Sequence, residues 1–151
     1  MQPSIQKRHR RKQRGNAVIE FAMLIPVLVA MFVGTWSYGS AYYIYAKLES
    51  AVRAGTRYGS LTTYDAASTV AYQTAVQNMV VYSDPGGGSV PVVLGLQTSN
   101  VNVSVQFMGS IPMSVSVSIS GYRIPGMFTS PATLVDKPTL QSPFMGYYLP
   151  S

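Results

Sequence analysis

The first long pattern along the chain is apolar. From Ala17 to Trp36 it runs for 20 positions with Glu20 as the sole formal charge. At 1.5 Å of rise per residue a helix of that length spans about 30 Å, the thickness of a bilayer core. Beyond Trp36 the apolar positions fall three or four apart, at Tyr38, Tyr42, Tyr45, Leu48 and Val52, which predicts that the helix continues on one buried face. Tyr42 to Tyr58 is rich in helix formers, and Gly59-Ser60 is expected to weaken the helix there. Asp65 is a candidate cap for a second helix from Ala66 to about Val80, with Ala67, Val70, Ala71, Ala75 and Met79 at helical spacing. The glycines of SDPGGGS, Ser83 to Ser89, mark a flexible loop.

After Pro91 the period changes to two. Val101, Val103, Val105 and Phe107 alternate with Asn102, Ser104 and Gln106, and Met113, Val115, Val117 and Ile119 alternate with serines. Both are the pattern of a half-buried strand, and the intervening MGSIP suits a hairpin connection. PVVLGL, Pro91 to Leu96, is a candidate further strand. Pro125 to Ser151 carries Pro125, Pro131, Pro138, Pro143 and Pro150 and reads as extended or irregular, with Phe144, Tyr147 and Tyr148 available to dock on the domain or contact a partner. The expected class is α+β: a long N-terminal transmembrane and amphipathic α-helix, a second helix, and a small antiparallel β-sheet packed on the helix. The expected segments are 1–15, a basic leader; 16–38, the transmembrane helix; 39–82, an extramembrane helical region; 83–124, a β-rich region; and 125–151, the Pro-rich end.

Charge sharpens this division. The net charge is +6, and Lys7, Arg8, Arg10, Arg11, Lys12 and Arg14 account for all of it, because five bases and five acids balance from Asn16 onward. Bases before an apolar span outweigh Lys47, Arg53 and Arg57 after it, so the positive-inside rule places the N-terminus in the cytoplasm and the bulk of the chain outside. That position makes the arm a membrane-flanking feature rather than a nucleic-acid contact. Trp36, Tyr38, Tyr42, Tyr43 and Tyr45 form the aromatic belt expected at a membrane surface, although core packing of these rings is compatible with the same spacing. A cleavable secretory signal is the alternative, with Ser37, Gly39 and Ala41 imitating its small-residue site.

Candidate chemistry is sparse. There is no cysteine, and the single histidine, His9, lies in the basic arm, so disulfides, thiolate-bound metals and a histidine-based enzyme are not expected. The acids after Glu20 are scattered, without the spacing of a metal site or an acid/base couple. The Gly86–Gly88 run lacks the Lys-Ser/Thr of a phosphate loop. No catalytic residue, cofactor or metal site is therefore assigned.

Two residues in the apolar run stand out. Glu20 is costly in lipid unless it finds a partner or reaches the headgroups. Pro26 removes a backbone hydrogen bond and should bend or loosen the helix. If the chain were cut after Gly15, Glu20 would become the fifth residue and Asn16 would carry a free amine, while all the excess positive charge would leave.

A basic leader, a glycine and a glutamate at the fifth following position inside an apolar helix resemble a type IV prepilin. The fuller run RGNAVIEFAMLIPVLVAMFVGTWSYG, followed by RAGTRYGS, resembles the TadE family, minor pseudopilins of the tight-adherence (Tad) pilus system. The likeness covers about residues 14 to 59, and Glu20, Phe21, Ala22 and Pro26 are its most specific part. It implies a pilin-like fold, cleavage between Gly15 and Asn16 by a membrane-embedded aspartyl prepilin peptidase, and a role for Glu20 in pairing with the N-terminal amine of a neighbouring subunit. Phe21 and Pro26 belong to the same assembly segment. Asn16 departs from the residue most typical at that position, which leaves N-methylation open. The implied partners are the membrane, the peptidase, other pilins or pseudopilins and Tad assembly proteins, with no nucleic acid. The implied product is a structural subunit, a protease substrate rather than an enzyme. Two rival readings are an uncleaved single-pass membrane protein with an extracytoplasmic binding domain and a secreted enzyme released near residues 39 to 41.

Overall fold

A computed structural model describes residues 6–125 and 131–150, with only the backbone described for 6–16. The first five residues of the expected leader, 126–130 of the Pro-rich segment and Ser151 lie outside the described residues. The architecture is α+β. A single helix, α1, covers Gln6–Leu61 and is followed by β1 (Tyr64–Asp65), a 3-10 turn (Ala66–Ser68) and α2 (Thr69–Tyr82). A second 3-10 turn (Thr98–Asn100) leads into β2 (Val101–Met108), β3 (Ile111–Ile119), β4 (Arg123–Ile124), β5 (Ala132–Thr133), β6 (Thr139–Pro143) and β7 (Tyr148–Leu149). The chain divides into two compact units, Met1–Gly39 and Ser40–Ser151, with the boundary inside α1.

The first unit, as far as it is described, is helical throughout, and Pro26 sits inside α1 without ending it. From Ala17 to Phe32 every side chain is exposed. Within this unit Thr35 Oγ1 donates to the Met31 carbonyl at 2.9 Å, and the Phe32 and Trp36 rings stack at 6.4 Å.

The second unit holds the core. Leu48, Ala51 and Val52 of α1 pack with Tyr72, Val76, Val80 and Val81 of α2 and with Val101, Val115, Val117 and Ile119 of the sheet. Fully burying each valine or leucine contributes about 1.5–3 kcal/mol relative to leaving it in water. The α1 face read from the sequence holds at Leu48 and Val52, but Tyr42 is 75% exposed. The α2 face is corrected in part. Ala67, Val70 and Ala71 are exposed, Ala75 and Met79 are half-buried, and the buried side chains are Tyr72, Val76, Val80 and Val81. A tyrosine with a polar tip supplies one anchor of that face, which an alanine-weighted reading passes over.

Glycines explain how closely the helices meet. Ala51, Gly55 and Gly59 form a ridge along α1. A Cβ on Gly55 would collide with the Val80 side chain, and one on Gly59 would lie 3.0 Å from the Tyr72 hydroxyl and 3.1 Å from Val76 Cγ2. The ridge therefore serves chiefly the second helix of the same chain, with Val115 of the sheet beyond it at 3.3 Å. Gly59 does not break α1, which runs two residues further to Leu61.

The last turn of α1 has no basic side chain. Its orphan carbonyls are satisfied by other means. Thr62 N–H donates to Tyr58 O at 3.0 Å, Met145 N–H to Ser60 O at 2.8 Å, and the Tyr72 hydroxyl to Gly59 O at 2.6 Å. Burial pushes the Tyr72 phenol well above its ordinary range, with Tyr64 and Tyr58 adding to the shift, so it stays a donor at any physiological pH. Asp65 caps the 3-10 turn: its carboxylate accepts from the Ala67 amide at 2.9 Å and the Ser68 hydroxyl at 2.8 Å. The Ser68 bond first, then the Ala67 bond, holds the carboxyl below its usual range. The cap is thus present above the ordinary carboxylate range and is lost as acid takes the pH down through the depressed value.

The hairpin follows the expected alternation. β2 and β3 are antiparallel with Val101 opposite Ile119 and Val105 opposite Val115, and a bulge falls between Gln106 and Phe107. The turn is tighter than MGSIP suggests, because only Gly109 and Ser110 lie between the strands and Gly109 takes φ +64. One expectation fails and another is sharpened. Pro91 to Leu96 is not a strand, although Val93 and Leu96 are buried and Val92 N–H reaches Val81 O at 2.8 Å. The Pro-rich end is not merely irregular: β6 forms the third strand of the main sheet, order β2-β3-β6, and β5 and β7 pair with β4 and, in parallel, with β1. Pro143 faces Ser114 at a position whose amide points away from β3, so its missing N–H costs no ladder bond.

Two outcomes follow from this packing. Replacing Gly55→Ala should lower unfolding free energy by about 1–3 kcal/mol through overpacking against Val80, partly offset by about 1 kcal/mol of helix propensity. Thermal unfolding checks this, and Val80→Ala in the same chain should show a favourable coupling. Tyr72→Phe should cost about 1–2 kcal/mol by leaving the Gly59 carbonyl without its donor. Because the folded phenol titrates high, the wild type should also lose stability as pH rises beyond about 10, and this alkaline loss should shrink in Tyr72→Phe.

Candidate processing and assembly site

All five residues singled out in the sequence, Gly15, Asn16, Glu20, Phe21 and Pro26, lie on α1 within the first unit. Helical geometry sorts them. Asn16 and Glu20 are four apart, so their positions share one face about one turn, or roughly 6 Å, from each other along the axis. Gly15, Phe21 and Pro26 occupy other positions around the helix, and the structure does not gather all five at one point.

Gly15 and Asn16 stand in continuous helix, with no turn or loop at that bond. Glycine in a helix interior weakens it by about 1 kcal/mol relative to alanine, so Gly15 makes local unwinding easier there. Glu20 is exposed and pairs with no other described residue. Phe21 is 62% exposed and Met23 is 74% exposed, beside a carboxylate that ordinary surface chemistry would surround with polar groups. Pro26 supplies no N–H to the Ala22 carbonyl, one turn before it, leaving an acceptor on an otherwise apolar surface.

The apolar surface is the clearest property of this unit. One helix among the described residues is long and apolar enough to cross a membrane, within Ala17–Leu61, and its most apolar stretch is entirely unburied. Such a surface in water costs free energy along its whole length, so it suggests a membrane-anchored protein.

The second unit offers a cleft that the sequence does not point to. Tyr45 and Glu49 of α1 and residues 136–140 line an open cleft of about 440 Å³. This cleft depends on β6, whose strand character the prolines concealed. Glu49 is already paired with Arg53 at 2.8 Å, an exposed ion pair one turn apart on α1 that contributes little to stability. Arg57, one turn further along α1, stays exposed. Among the described residues no group of three or more His, Cys, Asp or Glu side chains is placed to hold a metal ion.

No curated protein and no solved structure gives a match to the chain. One family model does, and it begins at the glycine and runs over the candidate site into the second unit. Residues 15–57 match the family described as TadE-like protein, which supports a Tad pilus-associated component that associates with the membrane and with pilus components.

Proposed function

We propose that this chain is a prepilin-like, single-span minor pseudopilin of a Tad pilus or a related secretion apparatus. The observation that carries the reading is the coincidence of two boundaries. The family match opens at Gly15, and the apolar run of the sequence opens at Ala17, with Glu20 just inside it. A prepilin peptidase cuts between Gly15 and Asn16, after local unwinding that the glycine eases. The cut removes the basic leader and creates an amine at Asn16. The unperturbed pKa of such an amine is about 7.7–8, so a large share is cationic near neutrality.

Glu20 then supplies the complementary charge. An unpaired carboxylate in lipid is unfavourable by several kcal/mol, so pairing with a neighbour's amine gives assembly a direction. If two parallel helices bring Glu20 of one against Asn16 of the other, the second subunit is displaced axially by roughly 6 Å, the rise of four helical residues. Phe21 packs beside this contact in the assembled segment. Pro26, with a free acceptor at Ala22, loosens the helix for movement out of the bilayer. The N-terminus lies in the cytoplasm and the second unit outside the cytoplasmic membrane, as the basic arm favours. The protein acts as a peptidase substrate and a structural part, not as an enzyme.

A second reading draws on the unbroken helix through Gly15 and Asn16. An uncleaved single-pass protein needs no unwinding there and presents its outer unit as a binding domain.

N-terminal sequencing and intact mass of the membrane-fraction protein, with the cognate peptidase present and absent, separate the two. The expected outcome is a peptidase-dependent start at Asn16. A start at residue 1 in both samples would sink the pseudopilin mechanism and leave the bitopic anchor. Gly15→Val should leave the full-length chain in the membrane with the peptidase present. Glu20→Ala should be cleaved normally yet drop out of the assembled apparatus, as read by co-purification with other pilus subunits.

A further inference from the structure

The main sheet has two edges that differ in kind. β6 closes one side, and its free edge is obstructed: Pro143 offers no N–H, and Lys137 and Pro138 stand at its entry. Charged residues and prolines at such positions are the usual guards against another strand. β2 closes the other side. Its eight residues, VNVSVQFM, contain no proline and no charge.

The hydrogen bonds fix which groups β2 leaves free. Ser120 N–H donates to Asn100 O at 2.8 Å, so the residues bonded to β3 are Asn100 and, by alternation, Asn102, Ser104 and Gln106. On the far side of β3, Ile119 N–H donates to Pro138 O at 3.3 Å and Ile119 O accepts from Lys137 N–H at 3.0 Å, which agrees with this alternation. The amides and carbonyls of Val101, Val103 and Val105 therefore point away from the sheet. Val101 O is taken by the Gln77 side chain of α2 at 3.0 Å. No further strand pairs with β2, and no backbone bond beyond its own ladder engages Val103 or Val105 among the described residues.

We propose that this edge pairs with the same edge of a second copy, antiparallel about a two-fold axis at Ser104. That register sets Val103 opposite Val105 of the second copy and the reverse, each pair exchanging two backbone bonds, so four form in all. It also sets Asn102 opposite Gln106 on the polar face and valine opposite valine on the apolar face. A two-fold pairing of a charged strand would bring like charges together, whereas this neutral strand is complementary to itself. A strongly acidic or basic peptide finds no counter-charge on β2. The result is a six-stranded sheet across two outer units. This goes beyond the pseudopilin reading and does not need it.

The axis makes the test direct. Ser104 faces Ser104 of the second copy in a non-hydrogen-bonded pair, where Cα atoms lie about 4.5 Å apart, within the range of a disulfide at about 4.4–6.8 Å. The sequence has no cysteine, so a single one reports cleanly. In the full chain in native membranes, Ser104→Cys should give a disulfide-linked homodimer on mild oxidation, and Gln141→Cys, on guarded β6, should not. Adding Val105→Pro removes an outward amide, and adding Asn102→Lys with Gln106→Lys opposes like charges on the exposed face. Each should abolish the Ser104→Cys dimer while leaving protease resistance of the outer unit unchanged, and the lysine pair serves if the proline variant does not fold. No dimer from folded Ser104→Cys, equal dimer from Gln141→Cys, or dimer that survives the folded blocking variants would each overturn the proposal. The N-terminal sequencing result has no bearing on these outcomes, so the two readings fail separately.

Discussion

The second unit depends on the absence of two side chains. Where α1 meets α2, Gly55 and Gly59 present bare backbone, and Val80, Val76 and Tyr72 occupy the space that Cβ atoms would take. This close approach lets the Tyr72 hydroxyl reach the Gly59 carbonyl and lets Val115 of the sheet sit within contact of the same glycine. Two helices and a sheet thus converge on one turn of backbone. Glycine in a helix is intrinsically unfavourable, and here the loss is offset by fully buried valines on either side.

The two units follow opposite rules for apolar side chains. In Met1–Gly39 large apolar residues face outward along the described helix, and in Ser40–Ser151 they gather into a core. One continuous helix contributes to both, so its sequence changes its logic partway along. Before Gly39 the described side chains pack against no core, and Glu20 and Pro26 are the two residues that depart from the apolar helical pattern. After Ser40 the order of small and large residues matters, because each must fit a neighbour from the same chain.

Much of this was readable from the residues. The long apolar run, the alternating valines of the hairpin and the cap at Asp65 each rest on local periodicity or local hydrogen bonding, which sequence carries directly. What stayed hidden was set by distant parts of the chain. The α2 face was misread because Tyr72 is apolar in body and polar at its tip, and its burial is decided by a carbonyl 13 residues away. β6 was missed because proline reads as a breaker, while its effect depends on which side of a strand it occupies, and register is a tertiary property. PVVLGL has strand composition but joins no sheet, and it packs Val93 and Leu96 from irregular backbone instead. Of the candidate site, the structure adds the continuous helix through Gly15 and Asn16 and the exposure of Glu20 and Phe21.

The finish of α1 carries a temporal consequence. Its terminal carbonyls are satisfied by Tyr72 and by the Met145 amide, 85 positions beyond Ser60, and the Tyr64 amide donates to Tyr147 O at 2.8 Å. A helix end that is closed from so far downstream has a high contact order, and its closure waits on chain still to emerge. As the chain is made, the residues of the helix therefore emerge before those of its seal, and the second unit cannot close the end of α1 until residues 145–148 are available.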